Sequence, residues 1–284
     1  MKSPTLYHDS LSYPCQFVRL ALAEKNVRAK RRKLDESRGG HLKPRHLAIN
    51  ENGELPLFEH NGIVLSDIVT ICLYVNNNFP GPMLVPTDAE TRDAMESWIR
   101  LAQQFPDHEL FINPTASKRG RRARARLVRQ RNCAKHFAAK YPEYEKIYKR
   151  TAQTLQKQLS RSSNKKFVER SQTRVEEMLD ELERGLKGKT WLAGTAYSLA
   201  DVAWTVLLAR LDYCGQSGAW TRGRRPNVEA YYERVKKRAS FHKANVIRKP
   251  PVFGPVEQFV RLHWGVLTVG GIGAAIGGYM LLQI

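Results

Sequence analysis

The chain has 284 residues, 42% hydrophobic and 9% aromatic, and its 47 Lys and Arg outnumber its 27 Asp and Glu to give a formal net charge of +20. That length and apolar content support one or two domains with real cores and exclude wholesale disorder. Four scattered cysteines (Cys15, Cys72, Cys133 and Cys214) form no CxxC pair, which speaks for reduced thiols and against a disulfide scaffold or a zinc site.

The first eighty residues alternate short strands and helices. Residues 4–9 (PTLYHD) predict a strand, 15–25 an amphipathic helix, and 27–34 a second strand with alternating polar positions. Gly39 and Gly40 break the chain before a short helix over 42–49. Residues 55–60 (LPLFEH) then predict a strand. Asn61-Gly62 is a hairpin turn, and 63–65 return as a strand. Ser66 can cap the apolar helix that begins at Ile68. The order is β-α-β-α-β-β-α, a small mixed-sheet domain over residues 4–79.

Pro80, Pro82 and Pro86 mark a linker over 80–87, and Thr87 or Asp88 opens a run of helices. These are expected near 88–104, 118–140, 142–160, 167–186, from 198 onward, and 227–237. Ser198-Leu-Ala-Asp201 has the form of a capping box, and the run behind it (VAWTVLLARL) is nearly all apolar. That helix is therefore expected to be central, with Ser198 and Asp201 structural. Residues 118–135 hold Lys118, Arg119, Arg121, Arg122, Arg124, Arg126, Arg129, Arg131 and Lys135 and no acid. Within this basic insertion, about 115–165, Arg121, Arg122, Arg124, Arg126 and Arg129 are candidate contacts to anionic lipid or a partner protein. A solvated surface is the plainer reading. No fold for reading bases or single strands is recognised, so nucleic acid is not expected as a partner.

The last 21 residues, Trp264–Ile284, contain no charged side chain. As a helix they would reach about 30 Å, the thickness of a hydrocarbon core. Arg261 and His263 precede them, and 246–263 would form a juxtamembrane segment. The expectation is a single C-terminal membrane anchor over 264–284, with the rest of the chain facing the cytosol.

Residues 6–27 (LYHDSLSYPCQFVRLALAEKNV), 53–67 (GELPLFEHNGIVLSD) and the Ser198–Asp201 box with its helix together resemble the glutathione transferases. SLADVAWTVLLARLDYCG and RRPNVEAYYERVKKRASFHK are similar to the tetrachlorohydroquinone dehalogenases and their zeta-like relatives. With the C-terminal anchor and the basic insertion, the same stretches resemble the tail-anchored ganglioside-induced differentiation-associated protein 1 family. The resemblance implies an α/β thioredoxin-like N-terminal domain and an all-α transferase C-terminal domain over 88–245, followed by the transmembrane helix. It also implies the mitochondrial outer membrane.

On that resemblance the catalytic candidates are Ser12, at the start of the first helix, and Cys15. A hydroxyl and unpaired backbone amides at a helix N-terminus can stabilise a thiolate. Ser12 can equally be an N-cap, and Cys15 a buried apolar residue. Pro14 stands where the dehalogenases carry their cysteine. The family implies a cis bond at Pro56, Leu55 backbone groups on the cysteinyl part of glutathione, Ser66 and Asp67 at its γ-glutamyl end, and His41 at its glycine carboxylate. Asp67 departs from the family's Ser or Thr, and either Ser66 or Asp67 can also serve as an N-cap. The implied activity is glutathione-dependent conjugation or reductive displacement on an apolar electrophile, with glutathione as co-substrate and no metal. The alternative is a catalytically weak membrane adaptor or sensor in mitochondrial organisation or fission. An anionic membrane surface is a further expected partner, and a homodimer is left open.

Overall fold

The computed structural model describes residues 3–113 and 118–247. Strand β1 (Thr5–His8) leads to helix α1 (Tyr13–Glu24) and strand β2 (Lys30–Lys33). Two 3-10 turns (Glu36–Arg38 and Gly40–Leu42) precede the short helix α2 (Pro44–Leu47), which lies within the 42–49 range expected for a helix and is shorter. Gly39, at φ 64°, makes the corner between the turns, a conformation glycine adopts without steric cost. Strands β3 (Leu57–His60) and β4 (Ile63–Leu65) and helix α3 (Ile68–Asn78) complete the N-terminal part.

The sheet order is β2-β1-β3-β4, with β1 parallel to β2 and antiparallel to β3. Asn61 and Gly62 both have positive φ, the backbone a tight two-residue hairpin requires. Leu6 pairs with Phe58 across β1 and β3, and both are fully buried in the main core with Val18 and Ile71. Strand β2 is an edge whose four residues, Lys-Arg-Arg-Lys, are all exposed. The alternation expected over 27–34 holds at Val27 and Ala29, half-buried against the core, and stops at the strand itself.

The C-terminal part is helical: α4 (Ala89–Gln103), α5 (Asp107–Phe111), α6 (Lys118–Lys140), α7 (Glu145–Ser163), α8 (Lys165–Gly185), α9 (Leu199–Tyr213), α10 (Pro226–Lys236) and α11 (Ala239–Lys243). Helices α5 and α11 have five residues each and carry too little periodicity to be read from the sequence. Helix α9 is buried from Leu199 to Leu211 and packs on both α1 and α4, so a single apolar core runs through both parts.

Asp201 holds the entry to α9. Its Oδ2 accepts from the Ser198 amide at 2.9 Å and from the Ser198 hydroxyl at 3.0 Å. Its Oδ1 accepts from the Leu192 amide at 3.1 Å and the Tyr231 hydroxyl at 3.0 Å. Burial raises the carboxyl's pKa, and these hydrogen bonds oppose that shift.

The basic helix α6 is a structural part of the fold. With α7 it forms a small core of its own, in which Ala134, Tyr148 and Ala152 pack on Leu42 and Leu47. Tyr148 donates to the Leu42 carbonyl at 2.9 Å. The helical pair is thereby fastened to residues 35–47 of the N-terminal part.

The expected terminal transmembrane helix is corrected. Among the described residues no helix is long and apolar enough to cross a membrane. The segments proposed as juxtamembrane (from 248) and anchor (264–284) lie outside the described residues. The fold is the mixed-sheet part plus the helical part, and the tail-anchored function and the membrane and mitochondrial placement drawn from the anchor fall with it.

Replacing Asp201 by Ala strands two buried amides and a tyrosine hydroxyl. The D201A variant is expected to lose about 3–5 kcal/mol of stability in urea unfolding. A loss under 1 kcal/mol would show that the box does not hold the core.

Candidate functional site

The loop between β1 and α1 is the most heavily tied segment of the molecule. Asp9 is 1% exposed. Its Oδ1 accepts from the Leu11 amide at 2.8 Å, and its Oδ2 accepts from the Glu36 amide at 3.2 Å and from Arg126 Nη2 at 2.9 Å. The Ser10 carbonyl accepts from Gln16 at 3.3 Å and Arg19 at 3.2 Å. The Leu11 carbonyl accepts from Arg210 Nη1 at 2.8 Å, while the same guanidinium pairs with both oxygens of Asp107 at 2.6 and 3.0 Å. The helical part thus grips this loop from two helices, α6 and α9.

Ser12 ends the loop as N-cap of α1, yet its side chain makes no capping hydrogen bond. The hydroxyl is partly exposed and lies against the Cys15 thiol. The first-turn amides of a helix have no intrahelical partner, so the α1 N-terminus adds a positive field at this spot.

Cys15 itself belongs to the core. It is fully buried against Leu55 and Leu57, and burial pushes its thiol up to about 12. That burial opposes a thiolate and favours the packing reading of Cys15 over the catalytic one. Its packing does bring the Leu55–Leu57 turn against the first turn of α1. The Leu55–Pro56 peptide bond is cis.

His41 is buried as well. It is 4% exposed, and its Nε2 lies 3.2 Å from Gln130 Nε2 of α6. Helix α6 covers the segment expected to hold a glycine carboxylate: Phe137 and Cys133 close on Gly39, where an added Cβ would meet the Phe137 ring at 2.9 Å. Asp67 is exposed and caps α3, accepting from the Thr70 amide and hydroxyl, each at 2.7 Å. Ser66, partly exposed, precedes it.

The five arginines proposed as surface contacts divide. Arg126 points inward to Asp9, and Arg124 donates to the Leu159 carbonyl at 2.9 Å and the Ser162 hydroxyl at 3.0 Å. Arg121, Arg122 and Arg129 are exposed. Sequence reasoning missed Asp9, Glu36, Asp107 and Arg210. A signal existed for Arg210, a cation inside an otherwise apolar helix.

Aromatic side chains line the helical side of the loop. Tyr13 and Phe105 have ring centroids 5.7 Å apart, and the Arg210 guanidinium lies 3.3 Å from the Phe111 ring centroid. A separate open groove of about 650 Å³, lined by Pro106, Phe167, Arg170 and Arg174 among others, includes no residue of the Ser12 loop. Among the described residues no group of three or more His, Cys, Asp or Glu is arranged to hold a metal.

Comparisons with known proteins agree with the fold. Residues 6–83 match the family model "Glutathione S-transferase, N-terminal domain", and 165–234 match "Glutathione S-transferase, C-terminal domain". The chain is 29% identical to the tetrachloro-p-hydroquinone reductive dehalogenase of Sphingobium chlorophenolicum over 248 residues, 87% of this chain and 97% of that protein. It is 26% identical to human ganglioside-induced differentiation-associated protein 1-like 1 over 269 residues, 85% of this chain and 73% of that one. The crystal structure of a glutathione S-transferase from Methylobacillus flagellatus, with glutathione bound, has a TM-score of 0.60 at 21% identity, covering 85% of this chain and 98% of that one.

His8 and His41 set a pH dependence. Burial pushes each imidazole down to about 4, and Arg19 adds to this at His8. In the unfolded chain both titrate near about 6.5. The folded state therefore binds fewer protons between those values, and stability present above about 6.5 is lost as pH falls toward 4. The slope of the urea midpoint against pH between about 5 and 6.5 should be smaller in H41Q than in the parent. An unchanged slope in H41Q would contradict a neutral buried imidazole.

Proposed function

From the chain's membership of the glutathione S-transferase superfamily, we propose that it binds glutathione at the α1 N-terminus and conjugates it to an apolar electrophile. The observation that carries this reading is the Ser12 hydroxyl, free of any capping bond at the N-terminus of a buried helix. In this reading Ser12 donates to the glutathione sulfur. A hydrogen bond to a charged acceptor contributes about 1.5–3 kcal/mol, and the helix field about 0.3–1 kcal/mol. Together they lower the thiol pKa by roughly 1.5–3 units, enough to populate thiolate near neutral pH.

The Leu55 backbone, held at α1 through Cys15, is the proposed partner of the cysteinyl amide groups. Ser66 and Asp67 are the proposed contacts for the γ-glutamyl end. Asp67 suits the ammonium there, since two carboxylates would repel. His41 has no such role beneath α6. Tyr13, Phe105 and Phe111 supply an apolar aromatic wall for the electrophile. Conjugation is favoured over reductive displacement because Cys15, beside Ser12, is kept as a buried thiol and Pro14 supplies no sulfur.

The S12A variant is expected to bind glutathione within about threefold of the parent by calorimetry. It should lose about 10²-fold in turnover of a nitro-activated aryl chloride, with the pH profile displaced to higher pH. Parent protein that shows no heat of glutathione binding at millimolar concentrations would overturn the reading.

A further inference from the structure

Arg210 sits in the part of α9 that is buried from Leu199 to Leu211, and it is itself only 3% exposed. A buried guanidinium is costly unless its N–H groups are taken up. Its Nε and Nη2 donate to the two oxygens of Asp107 at 2.6 and 3.0 Å, and its Nη1 donates to the Leu11 carbonyl at 2.8 Å. The Phe111 ring closes one face of the guanidinium, with its centroid 3.3 Å away. A carboxylate on one edge and a ring on one face fix the plane of the fork, so the Leu11 carbonyl has to follow Arg210 rather than the reverse.

That bond sets the direction of the next amide. The cis peptide bond among the described residues is Leu55–Pro56, so Leu11–Ser12 is trans. In a planar trans peptide the carbonyl oxygen and the following N–H point in opposite directions. Turning the Leu11 oxygen toward α9 therefore turns the Ser12 N–H away from it. This N–H has no hydrogen-bond partner among the described residues, and the Ser12 hydroxyl makes no capping bond. The peptides before it are fixed as well: the Leu11 amide is held by Asp9 at 2.8 Å, and the Ser10 carbonyl by Gln16 and Arg19. We infer that Arg210 is a positioning residue, which holds the Leu11 carbonyl so that the Ser12 amide donates to the glutathione sulfur beside the Ser12 hydroxyl. The inference rests on the glutathione-binding reading and adds a donor to it that no side chain at position 12 supplies. Asp107 and Phe111 are the first and last residues of α5, so the same contacts tie the proposed aromatic wall to the nucleophile's loop.

The two donors can be separated. Replacing Ser12 by Ala removes the hydroxyl and leaves the amide, while a change at Arg210 releases the amide and leaves the hydroxyl. The test is a pH titration of glutathione bound to the full chain, read by the ultraviolet absorbance of its thiolate, in the parent, S12A, R210K and S12A/R210K. Lysine keeps the charge but has no fork to hold Asp107 and the Leu11 carbonyl in one plane. R210K should raise the pKa of bound glutathione by about one pH unit, and by about the same step in the S12A background. A role confined to holding the fold moves the urea midpoint and leaves the bound pKa where it was. An unchanged bound pKa in R210K, or a step that vanishes in the S12A background, overturns the inference and leaves glutathione binding standing. A parent that binds no glutathione, or leaves its thiol pKa as it is free in solution, removes the conjugating reading and this inference with it. If circular dichroism shows R210K unfolded, amide NMR of the parent decides. The Ser12 amide proton should move downfield as glutathione is added, with the same pH midpoint as the absorbance, and an unmoved resonance overturns the inference.

Discussion

The Asp9 carboxylate is the point through which the rest of the site is assembled. It is buried, and a buried anion is costly unless its lone pairs are taken up. Here they are taken up by an amide of its own loop and, from distant parts of the sequence, by the amide of Glu36 and the guanidinium of Arg126. The charge therefore fixes the Ser12 loop, the 35–42 segment and helix α6 relative to one another. Arg210 adds a fourth tie through the Leu11 carbonyl, itself neutralised by Asp107. Loops are usually the mobile part of a fold; this one is held by charge-assisted bonds from both sides.

The basic insertion gains its meaning from this arrangement. A run of cations without an acid reads as a solvated or polyanion-binding surface. Several of its members are consumed internally instead. Arg126 reaches Asp9, Arg124 closes on the end of α7, and Arg131 pairs with Gln156 at 2.6 Å. Phe137, Tyr141, Tyr144 and Tyr148 supply the apolar face that docks on Leu42 and Leu47. The insertion thus packs on the 35–47 segment and buries His41, for which the family resemblance implies a ligand contact.

The legible features were those with local signatures. The Asn61-Gly62 hairpin, the Asp88 cap of α4 and the apolar run of α9 follow from nearest-neighbour chemistry. The helix expected over 42–49 is shorter, Pro44–Leu47, and the turns before it pass a corner at Gly39 that packs under Phe137 of α6, about a hundred residues away. Asp9 and Glu36 carry no motif. The groups that hold Asp9, a backbone amide and a guanidinium, come from 27 and 117 positions away, which no local pattern encodes. Cys15 and His41 have residue types that suggest chemistry, and only burial shows that they serve packing. The terminal apolar stretch was read by composition alone, and no described helix supports a span.

The all-cationic edge strand β2 has a consequence for how copies of this molecule meet. An open sheet edge is a template for another strand, and four adjacent like charges oppose that pairing. The protection is electrostatic, so it weakens as counterions crowd in: the screening distance shrinks from about 10 Å at 0.1 M salt to about 3 Å at 1 M. Concentrated electrolyte, often used to keep basic proteins dispersed, here strips away the repulsion that guards the border of the sheet.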